Sequence, residues 1–67
     1  MDISIREYIK NNFKDSDENE LKDAINLSIK EGEEEALPGL GVLMEILWLK
    51  SSEEERNLAL NKIKSGL

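Results

Sequence analysis

Apolar positions along this chain recur at three- and four-residue intervals in three stretches and crowd together in a fourth. Ile5, Tyr8, Ile9 and Phe13 share one side of a helical wheel, with Arg6, Glu7, Lys10 and Asn11 on the others. That spacing predicts a first helix over roughly residues 4–13, and Ser4 followed three residues later by Glu7 fits a capping box. The polar run Lys14 to Glu20 breaks the pattern. Asp17 with Glu20 repeats the capping arrangement, and a second helix follows over about 18–31. It carries Leu21, Ala24, Ile25, Ser28 and Ile29 on one face and Leu27 off it, with Gly32 placed to end it in a left-handed cap. The last helix restarts at Ser51-Ser52-Glu53-Glu54-Glu55, with Ser52 and Glu55 as another capping box. Acidic residues open it, and Arg56, Lys62 and Lys64 follow toward its negative end. Ala59, Leu60, Ile63 and Leu67 form its expected buried stripe, and Gly66 marks its end.

The crowded stretch, Leu37-Pro38-Gly39-Leu40-Gly41-Val42-Leu43-Met44-Glu45-Ile46-Leu47-Trp48, holds the one Pro, the one Trp and two of the four Gly residues. Pro38 suits the first turn of a helix, because its fixed φ is helical and its missing N–H has no partner there. Gly39 and Gly41 permit close backbone approach or unusual φ values, and close packing of helices is the reading adopted for them. From Leu40 to Lys50 only Glu45 interrupts the apolar residues clearly, and a helix apolar nearly all round is surrounded. The expected fold class is therefore all-α: one domain over residues 1–67, a small bundle of about four short helices around a central apolar helix. Either the other helices cover that helix, or a second copy of the chain covers one face. A homodimer through Met44, Leu47, Trp48 and Leu49 is the expectation, since it would bury apolar surface at about 25 cal/mol per Å². The competing layout is a monomer in which Leu40, Leu43, Leu47 and Trp48 face the helices and Met44 stays partly exposed.

Composition narrows the chemistry. At 67 residues the domain is near the size where burial, about 60% of the unfolded surface, only just offsets chain entropy. There is no Cys and no His, which excludes disulfides, Cys/His zinc sites and the commonest catalytic acid–base. The formal net charge of −6 is lopsided. Residues 1–35 carry five basic and eleven acidic side chains, whereas residues 36–67 carry four of each. Such a surface repels nucleic acid and anionic lipid. Met1-Asp2-Ile3-Ser4 lacks the basic start of a signal peptide, and the run Val42–Leu49 falls far short of the ~20 residues that span a bilayer. A soluble, non-exported protein without membrane contact is expected.

Candidate sites fail one by one on spacing. Asp15, Asp17 and Asn19 match the first three ligand positions of a calcium loop, but Glu20 stands where the turn needs Gly and Asn26 where Glu should close the site. Helix capping accounts for the same residues. Glu33, Glu34 and Glu35 point in different directions around a helix, so they make no convergent pair for acid–base work or metal binding. A solvated face beside the positive end of the next helix suits them better. No serine is paired with a base, and no strand or Lys-Ser/Thr accompanies the glycines as a phosphate loop requires. Neither enzyme nor cofactor is expected. The sharpest alternative is a helix-hairpin-helix turn at Leu37-Pro38-Gly39-Leu40-Gly41, whose backbone N–H groups would reach a DNA phosphate. The acidic approach Glu33–Glu35 and the apolar residues Val42, Leu43 and Met44 oppose that. A generic protein-interaction or dimerisation domain is the other alternative.

One resemblance goes further. The run from Gly32 through Glu33-Glu34-Glu35-Ala36 and Leu37-Pro38-Gly39-Leu40-Gly41-Val42-Leu43 to Glu45 and Trp48 resembles the central signature of the small acid-soluble spore protein I family. The overall length and the Glu-rich opening of the last helix agree with it. Met44, where Phe is expected in many relatives, and a divergent segment Met1 to Phe13 depart from the pattern. Family membership implies a non-enzymatic protein made in the forespore during sporulation and stored in the spore core, with no known molecular activity; any spore-core protein partner is not readable from the residues. It does not imply the DNA-coating role of the abundant alpha/beta-type spore proteins, whose motifs and germination-protease cleavage pattern are not found in this sequence.

Overall fold

The capping chemistry sets the helix limits. In the computed structural model, which describes the backbone of residues 3–67 and the side chains from residue 5 onward, four helices follow one another: α1 (Ile3–Phe13), α2 (Glu18–Glu31), α3 (Leu37–Lys50) and α4 (Glu53–Ser65). A 3₁₀ turn, Glu34–Ala36, leads directly into α3. The all-α bundle expected from the apolar periodicity is what the chain forms. Asp17 opens α2 by accepting the Glu20 N–H at 2.8 Å, and the Glu20 carboxylate accepts the Asp17 N–H in return. Ser52 and Glu55 close the same reciprocal pair at the start of α4, at 3.1 and 2.8 Å. Each box satisfies two backbone N–H groups that a helix start leaves without intrahelical partners. The side chain of Ser4, the expected partner of Glu7 in a third box, lies outside the described residues.

Gly32 ends α2 with φ of 62° and donates its N–H to Ser28 O at 3.1 Å. Any other residue type would be strained in this left-handed cap, which turns the chain toward α3. Pro38 sits in the first turn of α3, where its ring costs no hydrogen bond.

Packing is thinner than the periodicity promised. The most extensive helix pairing joins α1 to α3, and it buries Ile9 and, completely, Val42. α2 lays Leu21, Ala24, Ile25 and Ser28 half-buried alongside, while Leu27 is exposed as its position off the stripe suggested. The central helix is not surrounded. Leu37, Met44, Ile46, Leu47 and Leu49 of α3 are all exposed, so of the two expected alternatives, enclosure by the other three helices is not what the single chain forms. Leu47, assigned to the helix-facing side in the monomeric layout, is 57% exposed.

The stripe expected to bury α4 also fails beyond its first turns. Arg56 and Ala59 are half-buried, but Leu60, Ile63 and Leu67 are exposed. The corner at Ser51 and Ser52 starts α4 against the end of α3, and the later turns of α4 run past any neighbour that could cover them. On α2, Ile29 is exposed for the same want of a partner.

Gly39 and Gly41 lie inside α3, not in a turn. A Cβ built on Gly39 meets nothing within 4 Å, so neither close helix packing nor a special φ requires glycine there. Gly39 instead borders a cavity of about 320 Å³ between α1, α2 and the start of α3, which Ile9, Phe13, Ile25 and Leu40 also line. Gly39→Ala should therefore stabilise the fold by about 0.5–1 kcal/mol through reduced freedom of the unfolded chain. Denaturant unfolding followed by circular dichroism checks this, and an unchanged or lowered midpoint would mean that the bare backbone at Gly39 has another use.

Candidate functional site

The family-like segment makes up all but the last two residues of α3 after its 3₁₀ lead-in, and the structure gives its polar-capable members specific tasks. Glu45 faces α1, where Arg6 meets it with two parallel bonds. Arg6 Nε donates to Glu45 Oε2 and Nη2 to Oε1, both at 2.9 Å. Bidentate geometry fixes the orientation of the two helices as well as their contact. The pair is partly open to solvent, with side chains 28% and 44% exposed, so it is an orienting clasp beside the small core of Ile9 and Val42. The Arg6 hydrogen bonds hold the Glu45 carboxyl below its ordinary range, with the nearby positive charge adding to the effect, while Glu45 raises the Arg6 guanidinium.

Trp48 has the matching task at the other end of α3. Arg56 Nε donates to Trp48 O at 2.9 Å, and its guanidinium carbon lies 5.1 Å from the centre of the Trp48 ring. Cation–π contact and a hydrogen bond to a terminal helix carbonyl thus tie α4 to the end of α3. The Ser51 hydroxyl donates to Leu47 O, and the Ser51 N–H donates to Trp48 O at 3.2 Å. Three donors therefore serve carbonyls that a helix end would otherwise leave to water. Arg6 and Arg56 were not singled out from the sequence. Arg56 reads there as a dipole-complementing charge, and nothing in the spacing links Arg6 to a carboxylate 39 residues away.

The remaining segment members divide by exposure. Leu37 stands exposed at the first helical position, Leu40 and Leu43 are half-buried toward α2, and Val42 fills the core. Met44 and Leu47 share one open face with Leu40 and Leu43, set against Leu21 and Ile25 of α2. Leu49 does not lie on that face. It is five residues beyond Met44, roughly 140° around the helix, and with Met44, Glu45 and Trp48 it borders a separate shallow depression.

Besides Glu45, three acidic groups are engaged in capping. Asp17, Glu20 and Glu55 cap helices, and the Ser52 N–H and hydroxyl draw the Glu55 carboxyl below its usual range. Glu33, Glu34 and Glu35 are exposed around the 3₁₀ turn, on the positive side of α3. Among the described residues no group of three or more acidic side chains lies close enough to hold a metal ion, and no helix is long and apolar enough to cross a membrane. The hairpin turn required for backbone contact with DNA phosphate is not formed, because Leu37 through Gly41 are the opening turns of a continuous helix.

Fold and site together define a small helical domain whose distinctive segment builds helix junctions and one open apolar face. The chain belongs to the small acid-soluble spore protein I family: the sequence model described as "Small, acid-soluble spore protein I" matches residues 3–67. Proteins named Small, acid-soluble spore protein I from Bacillus velezensis and Bacillus subtilis are each 39% identical over all 67 residues, a span covering 94% of each relative. The protein of the same name from Geobacillus kaustophilus is 34% identical over the whole chain and 97% of its own length. No solved structure matches.

The clasp has a pH signature. Glu45 holds its proton less readily when folded, so the unfolded chain takes up protons first as pH falls. The stabilisation is complete above the ordinary carboxylate range, about 4.3, and is lost as pH drops through the depressed value of Glu45. Glu45→Gln should lower the unfolding midpoint at neutral pH and remove part of the loss on acidification. Equal acid sensitivity in the two proteins would show that the Arg6 pair contributes nothing.

Proposed function

We propose that this chain is a non-enzymatic protein of the spore core, synthesised in the developing forespore. Membership in a family of spore proteins, extending over nearly the whole chain, supports the setting. The observation that supports the non-enzymatic reading is the use of Glu45 and Trp48. The two side chains of the segment best suited to chemistry or recognition are committed to Arg6 and Arg56, and so to holding helices together. A carboxylate bound on both oxygens by a guanidinium is a poor general base. The net charge of −6 argues further against a nucleic-acid role, because a basic surface supplies most of the affinity in such complexes.

A fluorescent fusion expressed from the native promoter tests the setting. Fluorescence should appear in the forespore and persist in the spore interior. Signal in growing cells with none in spores would overturn the proposal.

A further inference from the structure

We infer that the open face between α2 and α3 is the contact surface of a symmetric homodimer. The face is a groove of about 410 Å³ whose floor and walls are apolar: Leu21 and Ile25 from α2, and Leu40, Leu43, Met44 and Leu47 from α3. No charged side chain lines it.

Area identifies what the chain lacks. Its accessible surface is 5819 Å² for a mass of 7.6 kDa, whereas a compact monomer of that mass exposes about 4300 Å². The radius of gyration is 12.8 Å, against about 11 Å for a compact chain of this length. The excess, on the order of 1500 Å² per chain, is more than the roughly 800 Å² that each partner buries in a standard stable interface. A second copy at a standard interface can therefore bury about half of what the fold leaves open.

Shape and charge favour a second copy over a different partner. The face sets Met44 and Leu47 of α3 beside Leu40 and opposite Leu21 and Ile25 of α2. A two-fold axis lying in the face and crossing the helices sets Met44 and Leu47 of each copy beside the same residues of the other, so that one patch meets itself as an isologous contact requires. Met44 can adapt its unbranched side chain to that fit. At the rim, Glu18 and Lys22 flank Leu21 and Ile25. A second copy brings the same two opposite charges to the rim. Each copy also carries a net charge of −6, so association works against long-range repulsion and should tighten as salt screens it.

Sedimentation equilibrium of the intact chain tests the inference. The expected result is a mass of twice 7.6 kDa at micromolar concentration, with tighter association at higher salt. Leu47→Glu should shift the protein to the monomer, whereas Leu49→Glu, at a site 72% exposed and off the groove, should leave the dimer intact. The chain contains no Cys, so single-cysteine variants give a reading that does not depend on a disruptive substitution. Met44→Cys should form disulfide-linked dimers rapidly on mild oxidation, and Leu49→Cys should do so at least tenfold more slowly. A monomer persisting to hundreds of micromolar would overturn the inference. So would equal effects of the two Glu variants, or equal cross-linking at the two cysteine positions.

Discussion

A helix that is apolar on nearly every side needs neighbours on nearly every side, and the other three helices of this chain cannot supply them. They are 11, 14 and 13 residues long, and connections of two to five residues hold them close to where the preceding helix ends. α1 and α2 reach two sides of α3, and α4 is tied to its last turn through Arg56 and Trp48. The core that results is Ile9 and Val42, with a half-buried ring around them. Much of the apolar surface of α3 therefore stays at the surface of the single chain. The helices are well specified locally, by caps, dipole-ordered charges and a proline at the right place, but the chain's own packing covers only part of their apolar surface.

Polar contacts take over the positioning that a larger core would provide. The bidentate Arg6–Glu45 pair sets α1 against α3, and Arg56 seated on Trp48 sets α4. Such pairs contribute little to stability at an open surface. Their directionality still fixes angles between short helices that few apolar contacts define. Glu45 and Trp48 thus hold α1 and α4 to the segment, while Met44 and Leu47 face outward. Pro38 and Gly32 act one level lower, in the backbone. Gly39 has no such account from its intramolecular surroundings.

Local features were the legible ones. Asp17–Glu20, Ser52–Glu55 and Gly32 are short-range devices, written in residues three or four apart, and the structure forms them at the places the sequence indicates. The four helices follow from the same local information. The fate of each apolar stripe was not legible, because Leu60, Ile63 and Leu67 make as good a stripe as Leu21, Ala24 and Ile25, and on α1 the stripe splits, with Ile9 buried but Ile5 and Tyr8 exposed. Burial depends on where another helix lies, and that is a property of the corners at Ser51–Ser52 and Gly32. The long-range partners Arg6 and Arg56 were missed for a related reason: a charge on an amphipathic helix reads as solvated until the opposing helix is placed. The spore-protein family was legible from the Leu37 to Trp48 segment because that recognition needs no three-dimensional information.

The chain's own fold leaves the α2–α3 face uncovered, and the proposed second copy on that face would make folding and association one process. The thermal unfolding midpoint as a function of protein concentration tests this directly, because coupling to a dimer makes stability depend on mass action. Monitored by Trp48 fluorescence, the midpoint should rise steadily across a roughly hundredfold range of concentration spanning the dimer dissociation constant. A midpoint that stays constant over that range, with a single cooperative transition, would contradict the account.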